Sequence, residues 1–304
     1  MRDRLIGVDV GGTKVSVAVL ENGELGEPTL EPTRLDSSEA LLDQLVDAVQ
    51  RAAADDGVTA VGLGVPSVVD WSTGRVRASV NIPLRDVPLR EVLRERLGVP
   101  VFVDNDASVA ALAEAHDAGV KNLVMFTIGT GVGGGIVLDG RPFRGTTGAA
   151  PELGHMVIGA VLEQGEPEHR DRFPQPGSLE ALASGRALDE LGRERGYSDG
   201  RAVVEAAQRG DEQARELLAV LGHRLGIGIA NAINAFDPEL VAIGGGVCTA
   251  GDLLLEPAQE TAWRYVLPGV GTRTEVRLAR SGPEAGVRGA ALLAGLEHEM
   301  EVAT

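Results

Sequence analysis

Hydrophobic and polar positions fall into short blocks that alternate between strand-like and helix-like spacing. Leu5 to Val10 is an apolar run of strand length, Gly11-Gly12 turns the chain, and Val15 to Leu20 predicts a returning strand. Ser37 or Ser38 caps a predicted helix whose apolar positions, Leu41, Leu42, Leu45, Val46 and Val49, share one face. Thr59 to Gly64 predicts a strand ending at Pro66, and Leu89 to Leu97 a short helix stopped by Gly98. Val101 to Val103 predicts a strand entered through Pro100, where a missing N–H is tolerated. Ala107 to Ala115 reads as a helix of small residues. Together these make a mixed α/β half of about 120 residues.

The pattern then restarts. Leu123 to Ile128 predicts a strand, followed by the glycine-rich Gly129 to Gly135 and a strand from Ile136 to Leu138. Laid beside residues 5–23, this is the same strand, glycine turn, strand and polar tip, with Glu21-Asn22-Gly23 matched by Asp139-Gly140. Such a weak repeat predicts two related domains facing each other. Residues 141–177, rich in Gly, Pro and charge, read as loop, a substrate-side insertion. Helices are predicted at about 178–195 and 200–208, and a longer one from Asp211 to Ala235 with Leu217, Leu218, Leu221, Leu225 and Ile229 along its apolar side. Glu239 to Ile243 is a strand ending in Gly244-Gly245-Gly246. The final helix, about 284–299, opens on small residues that permit close packing and is expected to cross back to the first half.

Composition narrows the function classes. The formal net charge of -17 argues against non-specific nucleic-acid binding, which feeds on Lys and Arg. It does not exclude a polyphosphate held by backbone N–H groups, a lysine and Mg²⁺. No apolar run approaches the ~20 residues of a membrane span, and Cys248 is the sole cysteine, so no internal disulfide can form. The expectation is a cytoplasmic protein with no membrane partner.

Three glycine turns follow strands. In Asp9-Val10-Gly11-Gly12-Thr13-Lys14, glycines let the backbone approach phosphates, Lys14 can neutralise them, and Asp9 can hold Mg²⁺ through water. An ordinary tight hairpin with a solvated lysine explains the same residues. Thr130 and its neighbouring glycines could serve the same phosphates, and Gly244 to Gly246 could lie under a nucleoside. Asp104-Asn105-Asp106 follows an apolar strand and opens a helix, a position from which a carboxylate can act as general base on a hydroxyl. Helix capping by Asp104 or Asp106 accounts for it as well. Glu152-Leu153-Gly154-His155 and Glu180 suit vicinal sugar hydroxyls, or are simply solvated.

In order and spacing these motifs resemble the ROK family of the actin-like ATPase superfamily, and its bacterial glucokinases in particular. The matching residues are Asp9 to Lys14, Val103 to Glu114, Ile128 to Gly135, Glu152 to His155, Gly177 to Ala181 with Ala183-Ser184-Gly185, and Asp237 to Gly246. The resemblance implies two ribonuclease-H-like α/β domains with a cleft between them, closing over substrate. The domains would be a small one over 1–118, with the C-terminal helix about 288–304 packed back on it, and a larger one over 119–287. It implies ATP and Mg²⁺, transfer to the primary 6-hydroxyl of a hexose, and a homo-oligomer, dimer or tetramer. Asp106 would be the catalytic base, with Asn105, Glu152, His155 and Glu180 as sugar ligands. Asp9, Gly11, Gly12, Thr13, Lys14, Thr130, Gly131 and Gly133 would surround the phosphates and Mg²⁺, and Gly245 the nucleoside.

The departures lie toward the sugar. Family members carry a Cys-x-Cys-Gly-x-x-Gly-Cys zinc site completed by the Glu-x-Gly-His histidine. Here residues 156–177 hold no cysteine, and Ser178 stands at the last cysteine position. Glu163, Glu166, Glu168 and His169 read as a solvated acidic loop, so no structural zinc is expected. Pro151 and Ser67 also replace usual glycines. A modified sugar such as kanosamine, or a C7-cyclitol, is the alternative acceptor. A sugar-sensing repressor, which needs a DNA-binding region before the first phosphate loop, is the remaining rival.

Overall fold

The computed structural model describes residues 4–54, 57–79, 81–162, 165 and 168–303. Its elements, in chain order, begin with β1 (Arg4–Val10), β2 (Lys14–Glu21), β3 (Glu24–Leu25), β4 (Thr29–Pro32), α1 (Ser38–Ala53) and β5 (Ala60–Val65). Then come β6 (Ser67–Asp70), β7 (Arg75–Ser79), β8 (Arg85–Val87), α2 (Leu89–Leu97), β9 (Val101–Asn105) and α3 (Asp106–Ala118). After the restart follow β10 (Leu123–Ile128), β11 (Val132–Leu138), β12 (Arg141–Pro142), α4 (Leu179–Ala183), α5 (Gly185–Glu194) and α6 (Gly200–Gln208). The chain finishes with α7 (Glu212–Phe236), β13 (Leu240–Gly244), α8 (Asp252–Tyr265), β14 (Glu275–Leu278) and α9 (Ala285–Ala303).

The repeat is a topological one. One sheet runs β3-β2-β1-β5-β9 and another β12-β11-β10-β13-β14. In the first, β1 pairs antiparallel with β2 and parallel with β5; in the second, β10 pairs parallel with β13. The hairpin tips agree as well: Asn22 (φ 54°) and Gly23 (φ 81°) are matched by Asp139 (φ 50°) and Gly140 (φ 77°). Two consecutive left-handed residues give the turn whose twist suits the flanking strands.

The chain divides into two compact units, Met1–Lys121 with Gly135–Pro151 and Ser281–Thr304, and Asn122–Gly134 with Glu152–Arg280. The expected boundaries put Gly135–Pro151 in the second domain. It falls in the first because Arg144 bonds Asp104 and Glu297, and Gly148 seats against the backbone of Val69.

In the first unit α1 forms as its sequence dictates. Ser37 caps it by accepting the Ala40 N–H at 3.1 Å, and Leu41, Leu42, Leu45, Val46 and Val49 are buried. With Ile6, Val8, Val61 and Val101 they build the core on one face of the sheet. On the other face α9 packs against β1, β5 and α3. This approach needs Gly62, since a Cβ there would collide with the Ala290 carbonyl. In the second unit, the helix expected at 178–195 is two helices, because Ser184 leaves helical geometry and caps α5 through the Ala187 N–H at 3.3 Å. α7 is long and apolar enough to cross a membrane, but Leu217, Leu218, Leu221, Leu225 and Ile229 are buried and α7 packs on α8, as in a core helix.

Candidate active site

Within the first unit, β1, β5 and β9 lie parallel, so that Asp9 pairs with Gly64 and Gly64 with Asp104. Gly64 is needed because a Cβ there would collide with Val109 Cγ2 at 2.6 Å; it would stand in ordinary contact with Asp106 Cα at 3.5 Å and Asp9 Oδ1 at 3.8 Å. Asp9 and Asp106 are both half-buried. Burial, then the Asp106 charge, push the Asp9 carboxyl up to about 6, with Lys14 pulling it down. Burial also pushes Asp106 up, opposed by the Ala107 N–H, which donates to Asp106 Oδ1 at 2.8 Å.

The helix-cap alternative is corrected by the geometry. The N-cap of α3 is Asn105, whose Oδ1 accepts from Ala107 N at 3.0 Å and Ser108 N at 3.3 Å. Its Nδ2 donates to the Ser67 carbonyl at 3.4 Å. Asp106 is the first residue of the helix, and Asp104 points to Arg144. Arg144 Nε donates to Asp104 Oδ2 at 2.6 Å and Nη2 to Glu297 Oε1 at 2.7 Å, with Trp71 5.6 Å beneath the guanidinium. Burial alone would lower the Arg144 pKa; Asp104 and Glu297 outweigh it and hold the guanidinium above its ordinary range.

The first glycine turn is closed by Gly11 N–H donating to the Lys14 carbonyl at 2.9 Å and braced by the Thr33 hydroxyl, which donates to the Gly11 carbonyl at 2.6 Å. Gly11 and Gly12 are half-buried, and Thr13 and Lys14 are exposed.

Within the second unit, the second and third glycine turns share a cavity of about 680 Å³, lined by Gly129, Thr130 and Gly246 and by α5 and α6 residues including Arg186 and Asp189. Gly245, at φ 96°, makes the turn, and the lining falls to Gly246, Val247 and Thr249. Gly131 and Gly133 are not among its lining residues. Gly131 lies against the Glu180 carboxylate and Gly133 against the Thr127 hydroxyl. Glu180 Oε2 accepts the Val132 N–H at 2.9 Å, which ties α4 to the β10–β11 hairpin.

Glu152 and His155 face each other across a short 3₁₀ turn, Nε2 to Oε2 3.8 Å. Burial pushes the Glu152 carboxyl up, with the nearby His155 opposing and Glu180 reinforcing. The acidic-loop reading fell partly on Glu163 and Glu166, which lie outside the described residues. Sequence reasoning missed Gly64, signalled by a glycine inside a buried strand. It also missed Arg144, for which the sequence held no signal.

An α/β chain with a duplicated hairpin-sheet topology, a nucleoside-sized cavity on two glycine turns and two half-buried carboxylates at strand ends has the build of the two-domain, actin-like sugar kinases. The chain belongs to the ROK family, whose profile matches residues 5–297. It is 36% identical to the glucokinase of Halalkalibacterium halodurans over 99% of this chain and 98% of that protein. Among solved structures it is similar to the ROK hexokinase of Thermus thermophilus (38% identity, TM-score 0.85, covering 97% and 99% of the two chains). It is also similar to a ROK family glucokinase from Streptomyces griseus in complex with glucose and AMPPNP (31% identity, TM-score 0.74, covering 96% and 99%). The chain is an ATP-dependent sugar kinase.

Proposed function

We propose that the enzyme transfers the γ-phosphoryl group of ATP to the 6-hydroxyl of glucose or a closely similar hexose, with Asp106 as general base. The observation that carries this reading is the pair Asp9 and Asp106, two half-buried carboxylates beside Gly64, where the Asp106 charge adds to burial in raising the Asp9 carboxyl. A base must reach a hydroxyl from a rigid element, and Asp106, fixed at the first position of α3, meets that need.

In this reading Asn105, Glu152, His155 and Glu180 bind sugar hydroxyls. Gly11, Gly12, Thr13, Lys14, Thr130, Gly131 and Gly133 approach the phosphates, and the Gly245 turn receives the nucleoside. The donor set fits Mg²⁺, since a divalent cation beside Asp9 would favour the charged carboxylate that burial, and after it the Asp106 charge, oppose. Bound there, Mg²⁺ supplies charge neutralisation of the β- and γ-phosphates. The Asp106 carboxylate accepts the proton of the attacking hydroxyl, and the amide of Asn105 orients a neighbouring hydroxyl. The net charge of -17 supports a sugar and not a nucleic acid as partner, and a cytoplasmic homo-oligomer completes the reading.

Substitutions on the acceptor side, at Ser67, Pro151 and the cysteine positions, favour one second reading, a modified sugar such as kanosamine or a C7-cyclitol. A coupled ADP-release assay with Mg-ATP against glucose, mannose, glucosamine, N-acetylmannosamine, kanosamine and a C7-cyclitol decides between them. Turnover on glucose that Asp106→Asn abolishes supports the proposal. Selective turnover on one of the last two overturns glucose as acceptor, and full activity of the variant overturns the base.

A further inference from the structure

His155 has an unusual surrounding for a group meant to meet a substrate. Its Nδ1 is buried with no hydrogen-bond partner among the described residues, so no polar contact fixes the imidazole on that side. A histidine that binds through one nitrogen is ordinarily oriented by a bond to the other, and rotation about its ring torsion is otherwise broad. What does contact the ring is Phe173, edge to face, with centroids 5.1 Å apart and planes at 71°. Phe173 is itself 68% exposed, so its place is not explained by core burial.

The loop that carries Phe173 is closed locally. Gln175 Oε1 accepts the Arg170 N–H at 2.8 Å and Gln175 Nε2 donates to the Arg170 carbonyl at 2.6 Å, so one side chain satisfies both backbone groups of residue 170. The base of the loop is fixed to the His155 turn by Leu179 N–H to the Met156 carbonyl at 2.8 Å and Ile158 N–H to the Gly177 carbonyl at 2.8 Å. Counting back from Ser178 along the Cys-x-Cys-Gly-x-x-Gly-Cys pattern puts Asp171, Phe173 and Ser178 at its three cysteine positions. Ser178 caps α4 through the Ala181 N–H at 3.2 Å. Two of the three positions thus have a structural task that needs no metal.

We propose that Phe173, held in the loop that Gln175 closes on Arg170, is a positioning residue that fixes the His155 imidazole for the sugar. Packing does here what a metal bridge would do between the same two places. The inference rests on the reading of His155 as a sugar ligand, and extends it to a residue that does not touch the substrate. An aromatic pair of this geometry shifts an equilibrium by about twofold to tenfold, which sets the effect to look for.

The test joins kinetics to a direct view of the ring. Phe173→Ala is expected to raise the sugar KM about twofold to tenfold while kcat and the Mg-ATP KM stay put, and Phe173→Tyr is expected to restore it. The double variant Phe173→Ala/His155→Ala should be no worse for the sugar than His155→Ala alone; additive losses overturn the proposal, because Phe173 would then act without His155. Proton NMR of the imidazole signals, with His155 assigned by its loss in His155→Gln, should show that signal displaced in Phe173→Ala. An unmoved signal overturns the contact. If His155→Ala leaves the sugar KM unchanged, the sugar-ligand reading fails, and the NMR shift alone decides whether Phe173 orients the ring. Stoichiometric zinc in the purified protein, whose removal raises the sugar KM, overturns the metal-free clamp.

Discussion

Arg144 Nε donates to Asp104 Oδ2 at 2.6 Å, immediately before the Asn105-Asp106 pair on which the proposed chemistry rests. Asp104 in turn accepts the Asn105 N–H at 2.8 Å, so the ion pair is bonded into the backbone that sets the direction of the base. Arg144→Ala strands the buried Asp104 and the half-buried Glu297 carboxylates. Loss of about 3 kcal/mol of stability in urea unfolding is expected, with kcat reduced as well. Arg144→Lys, a point charge in place of a fork, should recover part of each.

Asp106→Asn keeps the shape and the first turn of α3 but removes the proposed base. A fall in kcat of about 10²- to 10⁴-fold is expected, with the sugar KM within a few-fold. Steady-state kinetics on the preferred sugar checks it, and circular dichroism confirms that the helix remains.

The Asp9 carboxyl is raised to about 6 in the folded protein from its ordinary 3.8. A raised folded value means that the group favours folding below the unfolded pKa and loses that contribution as pH climbs through about 6. Asp9→Asn removes the penalty, so the variant should be more stable than the parent at pH 8, on the order of 2 kcal/mol, and show no gain at pH 3.5. Denaturant titrations at the two pH values read this directly, without added Mg²⁺. Activity should fall in the same variant, as expected where function is held against stability.

Gly246 stands open at the cavity that takes in Thr130 and Arg186. Filling it with Gly246→Leu should raise the Mg-ATP KM about tenfold while leaving the sugar KM alone, since one misplaced side chain in a nucleotide cavity costs about 1.4 kcal/mol or more. A matched rise in both constants would contradict the assignment of this cavity to the nucleoside.

Cys248 donates from Sγ to the Gly244 carbonyl at 3.1 Å, and burial pushes its thiol up to about 12. A thiol reagent at pH 8 should therefore modify the native enzyme slowly and the unfolded chain promptly, at one site per chain.

Much of the frame was legible because local physics and fold agreed. Ser37 before an apolar periodicity became a capped helix, Gly98 stopped α2 in the left-handed region, and the repeat of hairpin and tip became one topology used twice. The small sheet β6-β7-β8 was not visible, because residues 67–87 bury few side chains and alternate weakly. At the site, Asp9, Asn105 and Asp106 sit at strand ends that the sequence marks. Which of three adjacent polar residues caps the helix was not marked, since Asp and Asn cap equally well and only the Arg144 bond draws Asp104 away. Arg144 and Phe173 were invisible for the same reason: each matters through a partner many positions distant, and nothing in its own neighbourhood records that partner.

The seating of α9 on Gly62 fixes an order of events during synthesis. Leu5, Ala60 and Phe102 share their core with Ala291, Leu293 and Ala294 of α9, much later in the sequence. As the protein leaves the ribosome, this face of the first sheet stays bare until α9 has emerged, whereas everything needed by Asn122–Gly134 and Glu152–Arg280 is already outside. The second unit is therefore free to fold first, and β1, which carries Asp9, and β9, which leads into Asp106, settle last. In a nascent chain, the cavity on Thr130 and Gly246 should form before the surroundings of Asp9 and Asp106.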